Sequence, residues 1–493
     1  MKNNIYIPLI LLTFLIISCS EIVDVEPSFK LNSENGITNS VNAKAAVNGI
    51  YSTLQGSEYD GGMMVAMASR SGFVDWSLAE YAMTWSQSGS NSTQQYKWQK
   101  YYETINAANF AINGISNLSD AQISEEEKKV LLGESRLLRA WGHIFVLQQF
   151  SHWWASDDND PDGVMYREET VTLENVHQAR LNVGESYQKI FEDLDYAIAN
   201  APSFSGSRYM SKEFAKVLKA KLLLFRAGFN TETTGLDEAL SLVNEVLNAS
   251  IPGFSMQGDM AQVYEDSWDS PENLFSGYIE ESGRDRYTSS WYRFSLPFYD
   301  SNRVALTNDR DAKLKRGFEW FSTDPRWDVV TGYCWPKSNR EVFTFTKVTR
   351  LGDWGEDTNT TSTPHKYNTY FFRYPELYIL KAELLARTGA SIAEAVAPIN
   401  TMRAVRTNPV IPSLNPTTKE ELMEDIFKEY FFETFVENGS EYFASTRFKD
   451  SSGARWIENL RGEGALEIFR LCYNIPSIEM ELNNLIHQND QLD

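Results

Sequence analysis

The sequence predicts a mainly α protein: a tetratricopeptide-like helical-hairpin scaffold with long irregular loops and minor β structure. Three observations lead to this prediction. Most long segments place apolar residues at helical spacing, two of these segments repeat one another, and two aromatic-rich segments lack helical period. The helices are therefore expected to form a frame, and the irregular segments to form its loops.

Apolar periodicity predicts the positions of the helices. Tyr187, Ile190 and Leu194 fall on one face of a helix, for example. Helices are expected near residues 40–56, 96–118, 124–150, 184–200, 211–229, 235–249, 371–388, 391–406 and 418–437. Ser211 and Thr418 are predicted N-caps, because a hydroxyl at that position accepts a hydrogen bond from the first turn of the helix.

Two helical stretches repeat one another. Residues 218–223 (LKAKLL) match residues 380–385 (LKAELL), and each stretch is followed by a glycine, Gly228 or Gly389. A second helical pattern with a Glu-Ala pair then follows in both copies. Such helix–turn–helix units stack, because each leaves an apolar face that a neighbour covers. The repeat predicts stacked hairpins, although any antiparallel helix pair shares part of this pattern.

The segments 251–369 and 59–95 differ from the helical ones. Both hold Trp and Tyr among turn-forming residues, and residues 341–346 (EVFTFT) show strand-like alternation. Long irregular loops on a rigid scaffold are where binding residues usually lie. These two segments are therefore the predicted ligand-binding loops.

The first 18 residues predict a secretory signal. An apolar run from Ile5 to Ile17 follows one positive charge, and it is shorter than the roughly 20 residues of a membrane-spanning helix. Ser18 and Cys19 end the run as in a bacterial lipobox, so Cys19 is predicted to be acylated and to anchor the protein. The alternative is an ordinary signal with an incidental cysteine.

The remaining chain is long enough for one large domain or two ordinary ones. We expect an N-terminal helical region over 19–250 and a C-terminal region with the aromatic loops over 251–493, packed as one globular unit. Only Cys334 and Cys472 follow Cys19. They are either two buried thiols or one bridge, and no disulfide framework is implied.

Charge and motifs exclude several classes of function. The net charge of −22 argues against nucleic acid as a partner, because nucleic acid is itself a polyanion. No metalloprotease, nucleophile-elbow or phosphate-loop motif occurs, and His143 is expected in the core. Asp157, Asp158 and Asp160 lack EF-hand spacing and are expected in a surface loop. No catalytic residue, cofactor or metal is predicted.

The aromatic loops suit glycan binding. A sugar ring lies flat on an indole or phenol face and buries apolar area at about 25 cal/mol per Å², while its hydroxyls need fixed polar partners. The candidate ligand-binding residues are Arg70, Asp75, Trp76, Trp85, Trp291, Tyr292, Trp320 and Trp335. For each tryptophan the alternative is that it packs its loop onto the core. Trp98, Trp141 and Trp456 lie in or near helical patterns and are assigned to the core.

Several motifs resemble the SusD/RagB family over nearly the whole chain. The most specific is residues 134–140 (ESRLLRA), which is close to the family's Glu-Ala-Arg-Phe-Leu-Arg-Ala signature. Others are residues 47–51 (VNGIY), 102–109, 190–194 (IFEDL), 324–326 (DPR), 373–377 (RYPEL), 399–403 (INTMR), and 475–476 with 488–489. The usual C-terminal Glu-Arg-Arg block appears here as Glu429-Tyr430-Phe431, which indicates a divergent member.

The resemblance implies a lipid-anchored outer-membrane protein at the cell surface. It would bind an oligosaccharide or polysaccharide and deliver it to a SusC-like TonB-dependent transporter, without catalysis. Two alternatives remain: a peptide-binding member of the same family, and a glycosidase, which would need two carboxylates roughly 5–9.5 Å apart. With 67 acidic residues in the chain, no such pair stands out.

The charged residues of the family motifs are predicted to be structural. Arg136 and Arg139 lie near one side of a helix whose other faces are apolar, so they are expected to pair with acidic side chains of adjacent helices. Glu383 and Arg403 are likewise expected to lock helical hairpins through their charges.

Overall fold

The computed structural model describes residues 36–54, 67, 70–71, 89–90, 92–278, 319–334, 342–345, 347, 368–461 and 467–489. Helices dominate these residues. They are α1 (Ser40–Thr53), α2 (Ser92–Ser116), α3 (Glu125–Phe150), α4 (Val183–Asn200), α5 (Lys212–Asn230), α6 (Leu236–Leu247), α7 (Met260–Asp266), α8 (Trp320–Thr323), α9 (Trp327–Val330), α10 (Tyr374–Arg387), α11 (Ile392–Val405), α12 (Lys419–Thr434), α13 (Ser440–Arg447), α14 (Trp456–Arg461) and α15 (Ser477–Leu482).

In the part of the chain that the structure describes, four short strands form two antiparallel pairs. β1 (Asn273–Tyr278) pairs with β4 (Asn368–Arg373), and β2 (Thr331–Cys334) pairs with β3 (Val342–Phe345). The predicted strand at 341–346 is confirmed as β3. The predicted helix at 371–388 begins later, at Tyr374, because residues 368–373 pair with β1 and Pro375 suits the first turn of a helix.

Helix packing follows the predicted hairpins. α2 packs on α3, α3 on α4, α5 on α6 and α10 on α11, and the two repeated hairpins meet through α6 and α10. A single hydrophobic cluster runs from Ile37 to Ile486 and includes residues of both halves. The mainly α, tetratricopeptide-like prediction is therefore confirmed. The boundary near residue 250 stays a prediction.

Side-chain caps fix where several of these helices begin. Ser211 accepts from Phe214 N and Thr418 from Glu421 N, so both predicted N-caps are confirmed. Asn182, Ser391 and Thr418 each form a full capping box with a glutamate three residues later. A box of this kind satisfies two backbone donors that the helix itself leaves unpaired.

The predicted core residues are buried. Trp98, Trp141 and Trp456 are at most 8% exposed, and His143 is fully buried with its ring stacked 3.8 Å from that of Tyr166. Cys472 is a free, buried thiol. Along the described part of the chain, no helix combines the length and apolar character needed to cross a bilayer.

Residues 473–489 pack against the end of α3, far away in the sequence. Tyr473 N donates to Gln149 O at 2.6 Å, and Asn489 Nδ2 donates to Phe150 O at 3.1 Å. Arg180 also donates to His487 O at 3.3 Å. The N-terminal helices are therefore completed by a segment more than 300 residues later.

Candidate ligand-binding site and its anchoring

Most predicted site residues lie outside the described residues. These are Asp75, Trp76, Trp85, Trp291, Tyr292 and Trp335, together with the lipidation candidate Cys19. Arg70 and Trp320 are described. What the structure places in detail is the set of contacts by which the aromatic segments are attached to the helical frame.

Trp320 attaches its segment to α12. Its ring centroid lies 5.4 Å from that of Phe432 and 5.7 Å from that of Phe431, in edge-to-face geometry. Lys428 Nζ lies 5.5 Å from the centre of the indole. The side chain is half-buried. Trp320 therefore packs its loop onto the frame, as the alternative expected. Because the side chain is only half-buried, a ligand contact on its exposed part stays a proposal.

Arg70 is a correction to the predicted site. The residue is 2% exposed, and its Nη2 donates to Leu471 O at 2.5 Å. The guanidinium lies 4.4 Å from the ring centre of Tyr473 and 5.2 Å from that of Tyr442. A buried side chain used in this way ties the first aromatic segment to the C-terminal half and has little surface left for a ligand.

Glu429 and Glu433 lie one turn apart on one face of α12, and a third glutamate, Glu437, follows the helix. Glu429 and Glu433 both accept from Arg326, at 2.9 and 2.8 Å. Glu437, just after α12, accepts from Lys347 Nζ at 2.9 Å and from Arg373 Nη2 at 2.8 Å. All these side chains are at most 1% exposed. They form the centre of a buried ion network.

The network extends to the neighbouring elements. Arg406 pairs with Glu433 at 2.9 Å, Arg373 pairs with Glu272 at 2.7 Å, and Arg403 pairs with Glu429. Its members are Arg326, Lys347, Arg373, Arg403, Arg406, Asp324, Glu272, Glu429, Glu433 and Glu437. Five cations face five carboxylates. Buried charges are tolerated when they are paired in this way.

The pKa values follow from this pairing. Burial alone would raise the pKa of Glu433, but Arg406, Arg326 and Arg373 hold it well below its usual value. Burial raises the pKa of Glu441, at the start of α13, to about 8. Glu441 is therefore neutral at pH 7, which leaves the network balanced.

The network was only partly predicted from the sequence. Arg403 was expected to hold the scaffold, and it does, although its partner is Glu429 of α12 and not a residue of its own hairpin. No sequence pattern indicates the pairing of Lys347 with Glu437. The available signal was the spacing of Glu429, Glu433 and Glu437 in the apolar-rich stretch 426–437, where unpaired charges would be too costly.

The predicted charge pairs of the N-terminal half are confirmed. Arg139 binds both oxygens of Asp193 at 2.7 Å and donates to Asn109 Oδ1 at 2.9 Å. Arg136 lies 4.0 Å from Asp193 and covers the ring of Tyr196 at 4.2 Å. In the C-terminal half, Glu383 accepts from Arg387 and Arg447 at 2.7 Å each. Glu383 thus joins α10 to α13.

Among the described residues, one cluster has side chains of the metal-ligating types. His152 Nδ1 lies 3.0 Å from Asp160 Oδ2, and His152 Nε2 lies 3.4 Å from Asp162 Oδ2. One atom from each of these three residues falls within 4.8 Å of the others. The imidazole, however, lies between the two carboxylates, and Arg180 occupies Asp162 Oδ1 at 2.9 Å. The arrangement suits a protonated histidine bridging two carboxylates.

The pKa of His152 agrees with this reading. Burial would lower it, but hydrogen bonds to Asp160 and Cys472 and the charge of Asp162 raise it to about 10. Asp157 and Asp158 belong to the exposed loop, as expected, and Asp158 pairs with Arg226 at 2.6 Å. This cluster links the N-terminal half to the segment that carries Cys472.

Comparison with family models gives two matches. Residues 20–218 match a SusD-like model described as "Starch-binding associating with outer membrane", and residues 331–477 match the SusD family model. A SusD-like protein of Bacteroides ovatus is 27% identical over 153 residues. That alignment covers 30% of this chain and 25% of the relative, so the matched segment spans about a quarter of the relative's length.

Solved structures share the fold at low sequence identity. A SusD superfamily protein from Bacteroides thetaiotaomicron is similar with a TM-score of 0.68 at 17% identity, over 92% of this chain and 100% of that chain. A laminarin-binding SusD-like protein is similar with a TM-score of 0.66 at 17% identity, over 92% and 100% of the two chains. At these identities the likeness shows the fold alone.

Proposed function

Because this chain belongs to the SusD/RagB family, as a divergent member, we propose that it is a cell-surface lipoprotein that binds glycan. It captures oligosaccharide and delivers it to a SusC-like TonB-dependent transporter, without breaking bonds. The observation that carries the proposal is the match of family models to two long segments, 20–218 and 331–477, on one fold that spans 92% of the chain.

The proposed ligand contacts are the aromatic residues of the two irregular segments. Asp75, Trp76, Trp85, Trp291, Tyr292 and Trp335 form this set, together with the open side of Trp320. Flat rings offer apolar area to the C–H face of a sugar, and nearby carboxylates accept from its hydroxyls. The attachment of both segments to the α12–α13 region supports the proposal, since Arg70 contacts Tyr442 of α13 and Trp320 contacts Phe431 of α12.

Acylation of Cys19 would place the protein at the outer membrane. Several acyl chains anchor a protein stably, because each buried methylene contributes roughly 0.8 kcal/mol. Pull-down of the native lipoprotein is expected to recover a large β-barrel partner, and Cys19→Ala is expected to release the protein from the membrane fraction. Recovery of the wild-type protein without any barrel would contradict the delivery half of the proposal.

A polysaccharide screen tests the binding half. Affinity electrophoresis of the purified protein against plant, host and microbial polysaccharides is expected to show retardation by at least one of them. Trp76→Ala should weaken that binding about 5- to 30-fold, as the loss of one stacked ring predicts. Trp320→Ala should have a smaller effect, because Trp320 is partly engaged with α12.

Tyr96→Ala is the matched control, since Tyr96 is an exposed ring on α2 outside the proposed set. Equal effects of the Trp76 and Tyr96 substitutions would contradict the aromatic site. Binding of oligopeptides without any polysaccharide would favour a peptide-binding member of the family. Release of reducing sugar by the purified protein would contradict a purely binding role.

A further inference from the structure

Exposed apolar side chains concentrate in two segments of the described chain. One is residues 168–178, in the connection between α3 and α4, and the other is residues 477–488, which begin with α15. These segments hold more than half of the large apolar side chains that are exposed among the described residues, and Leu173 is 95% exposed. Exposed apolar patches of this kind mark interaction sites. We call the set the apolar patch: Val171, Leu173, Val176, Ile478, Leu482 and Leu485.

The two segments lie side by side. Asn483 Nδ2 donates to Gln178 O at 2.9 Å, which joins the end of the first segment to the middle of the second. Ile478 and Leu482 are four positions apart on α15 and therefore share one side of that helix. The apolar side chains of the two segments thus belong to one region of the surface.

The loop that carries Leu173 is held by the frame. Arg167 is 5% exposed, and its guanidinium donates to Asn175 O at 2.5 Å. On the other side of the loop tip, Val171 N donates to Asn106 Oδ1 of α2 at 2.8 Å. The backbone on both sides of Leu173 is therefore fixed. A loop that is ordered in this way loses less conformational entropy when a partner binds.

Charge narrows the kind of partner. Residues 168–178 and 477–488 contain five glutamates and no lysine or arginine. Lys189 of α4 pairs with Glu168 at 3.1 Å, and the remaining carboxylates keep the region negative. A second copy of the chain would bring the same glutamates together, and an anionic lipid surface would repel them. A protein surface with lysines and arginines around apolar side chains fits the patch instead.

We infer that the apolar patch is the surface on which the proposed transporter docks, through apolar side chains that lie among lysines and arginines. This inference rests on the delivery half of the proposed function. Leu173 and Leu482 are the central anchors of the interface, and Glu174 and Glu481 belong to its rim. A dry apolar centre supplies binding energy, while a charged rim steers the approach and selects the partner.

The test compares Leu173→Glu and Leu482→Glu with Val410→Glu. Val410 is 74% exposed, as Leu482 is 67%, but it lies in the connection between α11 and α12, outside the patch. All three variants exchange an exposed apolar side chain for a carboxylate, and circular dichroism should show the wild-type fold in each. The native lipoprotein is purified from membranes, and the barrel recovered with it is quantified by mass spectrometry. Recovery should fall at least about ten-fold for the two leucine variants, because each loses an interface anchor, and stay at the wild-type level for Val410→Glu.

The rim charges give a second readout. Glu174→Gln combined with Glu481→Gln should lower recovery of the barrel about two- to five-fold at low salt, because exposed ion pairs contribute little each. Recovery by this double variant should also depend less on salt than recovery by wild type does, since salt screens the charges that were removed. An unchanged salt dependence overturns the basic chemistry assigned to the partner.

The other outcomes separate this inference from the proposed function. If wild type and both leucine variants recover the barrel equally, the inference is overturned and the proposed function stands. If wild type recovers no barrel, both are overturned. A wild-type dimer that Leu173→Glu dissociates would assign the patch to a second copy, and binding of Cys19→Ala protein to anionic vesicles that Leu173→Glu abolishes would assign it to the membrane. Either result, with recovery of the barrel unchanged, overturns the inference.

Discussion

The two halves of the molecule bury charge in different ways. In the N-terminal half, Arg139 of α3 has Asp193 of α4 as its carboxylate, and neutral groups such as Asn109 satisfy the rest of the guanidinium. In the C-terminal half, five cations and five carboxylates share partners around α12. Arg326, for example, contacts Asp324, Glu429 and Glu433.

The difference concerns redundancy. The Arg139–Asp193 pair joins two helices that are neighbours in sequence. It depends on one carboxylate, because Asp193 is the carboxylate that Arg139 binds. The α12 network joins segments that the chain brings together from far apart, and most of its members have a second partner of opposite charge. We infer that the network tolerates the loss of a single charge better than the Arg139–Asp193 pair does.

The largest expected effect separates these two cases. Asp193→Asn leaves Arg139 buried without its anion and should cost about 3–5 kcal/mol in the free energy of unfolding. Glu433→Gln leaves Arg326 and Arg406 with Glu429 and Glu272, and should cost about 1.5–3 kcal/mol. Urea unfolding checks both values. A larger loss for Glu433→Gln would contradict the redundancy argument.

His152 links the two halves, and its contribution should depend on pH. Its pKa of about 10 in the folded protein exceeds the value of about 6.5 in an unfolded chain. The stabilisation, on the order of a few kcal/mol, is therefore complete below pH 6.5 and lost as the pH rises through 10. Urea unfolding from pH 6 to 10 should show the difference between wild type and His152→Gln shrinking. His177→Gln, at an exposed position, serves as the control substitution.

Glu441 should show how the network responds to one extra charge. Its pKa of about 8 in the folded protein lies above the value of about 4.3 in an unfolded chain, because burial disfavours the charged form. The folded protein therefore loses stability as the pH rises from 4.3 through 8, where the unfolded chain releases the proton more easily. Glu441→Gln cannot ionise and should be more stable than wild type at pH 9, by about 2 kcal/mol, with little difference at pH 4.5. Thermal unfolding at the two pH values measures this. A variant less stable than wild type at pH 9 would contradict the assignment.

The smallest expected effect, the loss of a helix N-cap, should lower the free energy of unfolding equally in the two halves. Asn182 caps α4 in the N-terminal half, and Thr418 caps α12 in the C-terminal half, each in a full capping box. Either substitution by alanine should cost about 1 kcal/mol in urea unfolding, because a cap is a local interaction. A clearly larger loss for Thr418→Ala would mean that the start of α12 is coupled to the ion network.

The frame was predictable because its signals are local. The helix expected at 211–229 is Lys212–Asn230, and its cap Ser211 is correct. Apolar spacing and caps act within a few residues, so one sequence is enough to read them. Trp141 was assigned to the core on the same grounds and is 2% exposed.

The candidate site was less predictable because its attachments are not local. Lys347 and Glu437 are 90 residues apart, and Arg70 meets Leu471 across 401 residues. No periodic pattern connects such positions. Arg70 was assigned to the ligand because arginine suits sugar hydroxyls, yet the same donors suit a backbone carbonyl in the interior, and residue type alone does not separate these uses.

The packing of residues 473–489 on the end of α3 has a consequence for folding during synthesis. Asn489 and Phe150 are 339 positions apart, so the hydrogen bond to the carbonyl of Phe150 forms only after most of the chain has been synthesised. Between the synthesis of α3 and that of residues 473–489, the surface at the end of α3 lacks these contacts. The packing around the end of α3 is therefore expected to be completed only after nearly the whole chain has been synthesised.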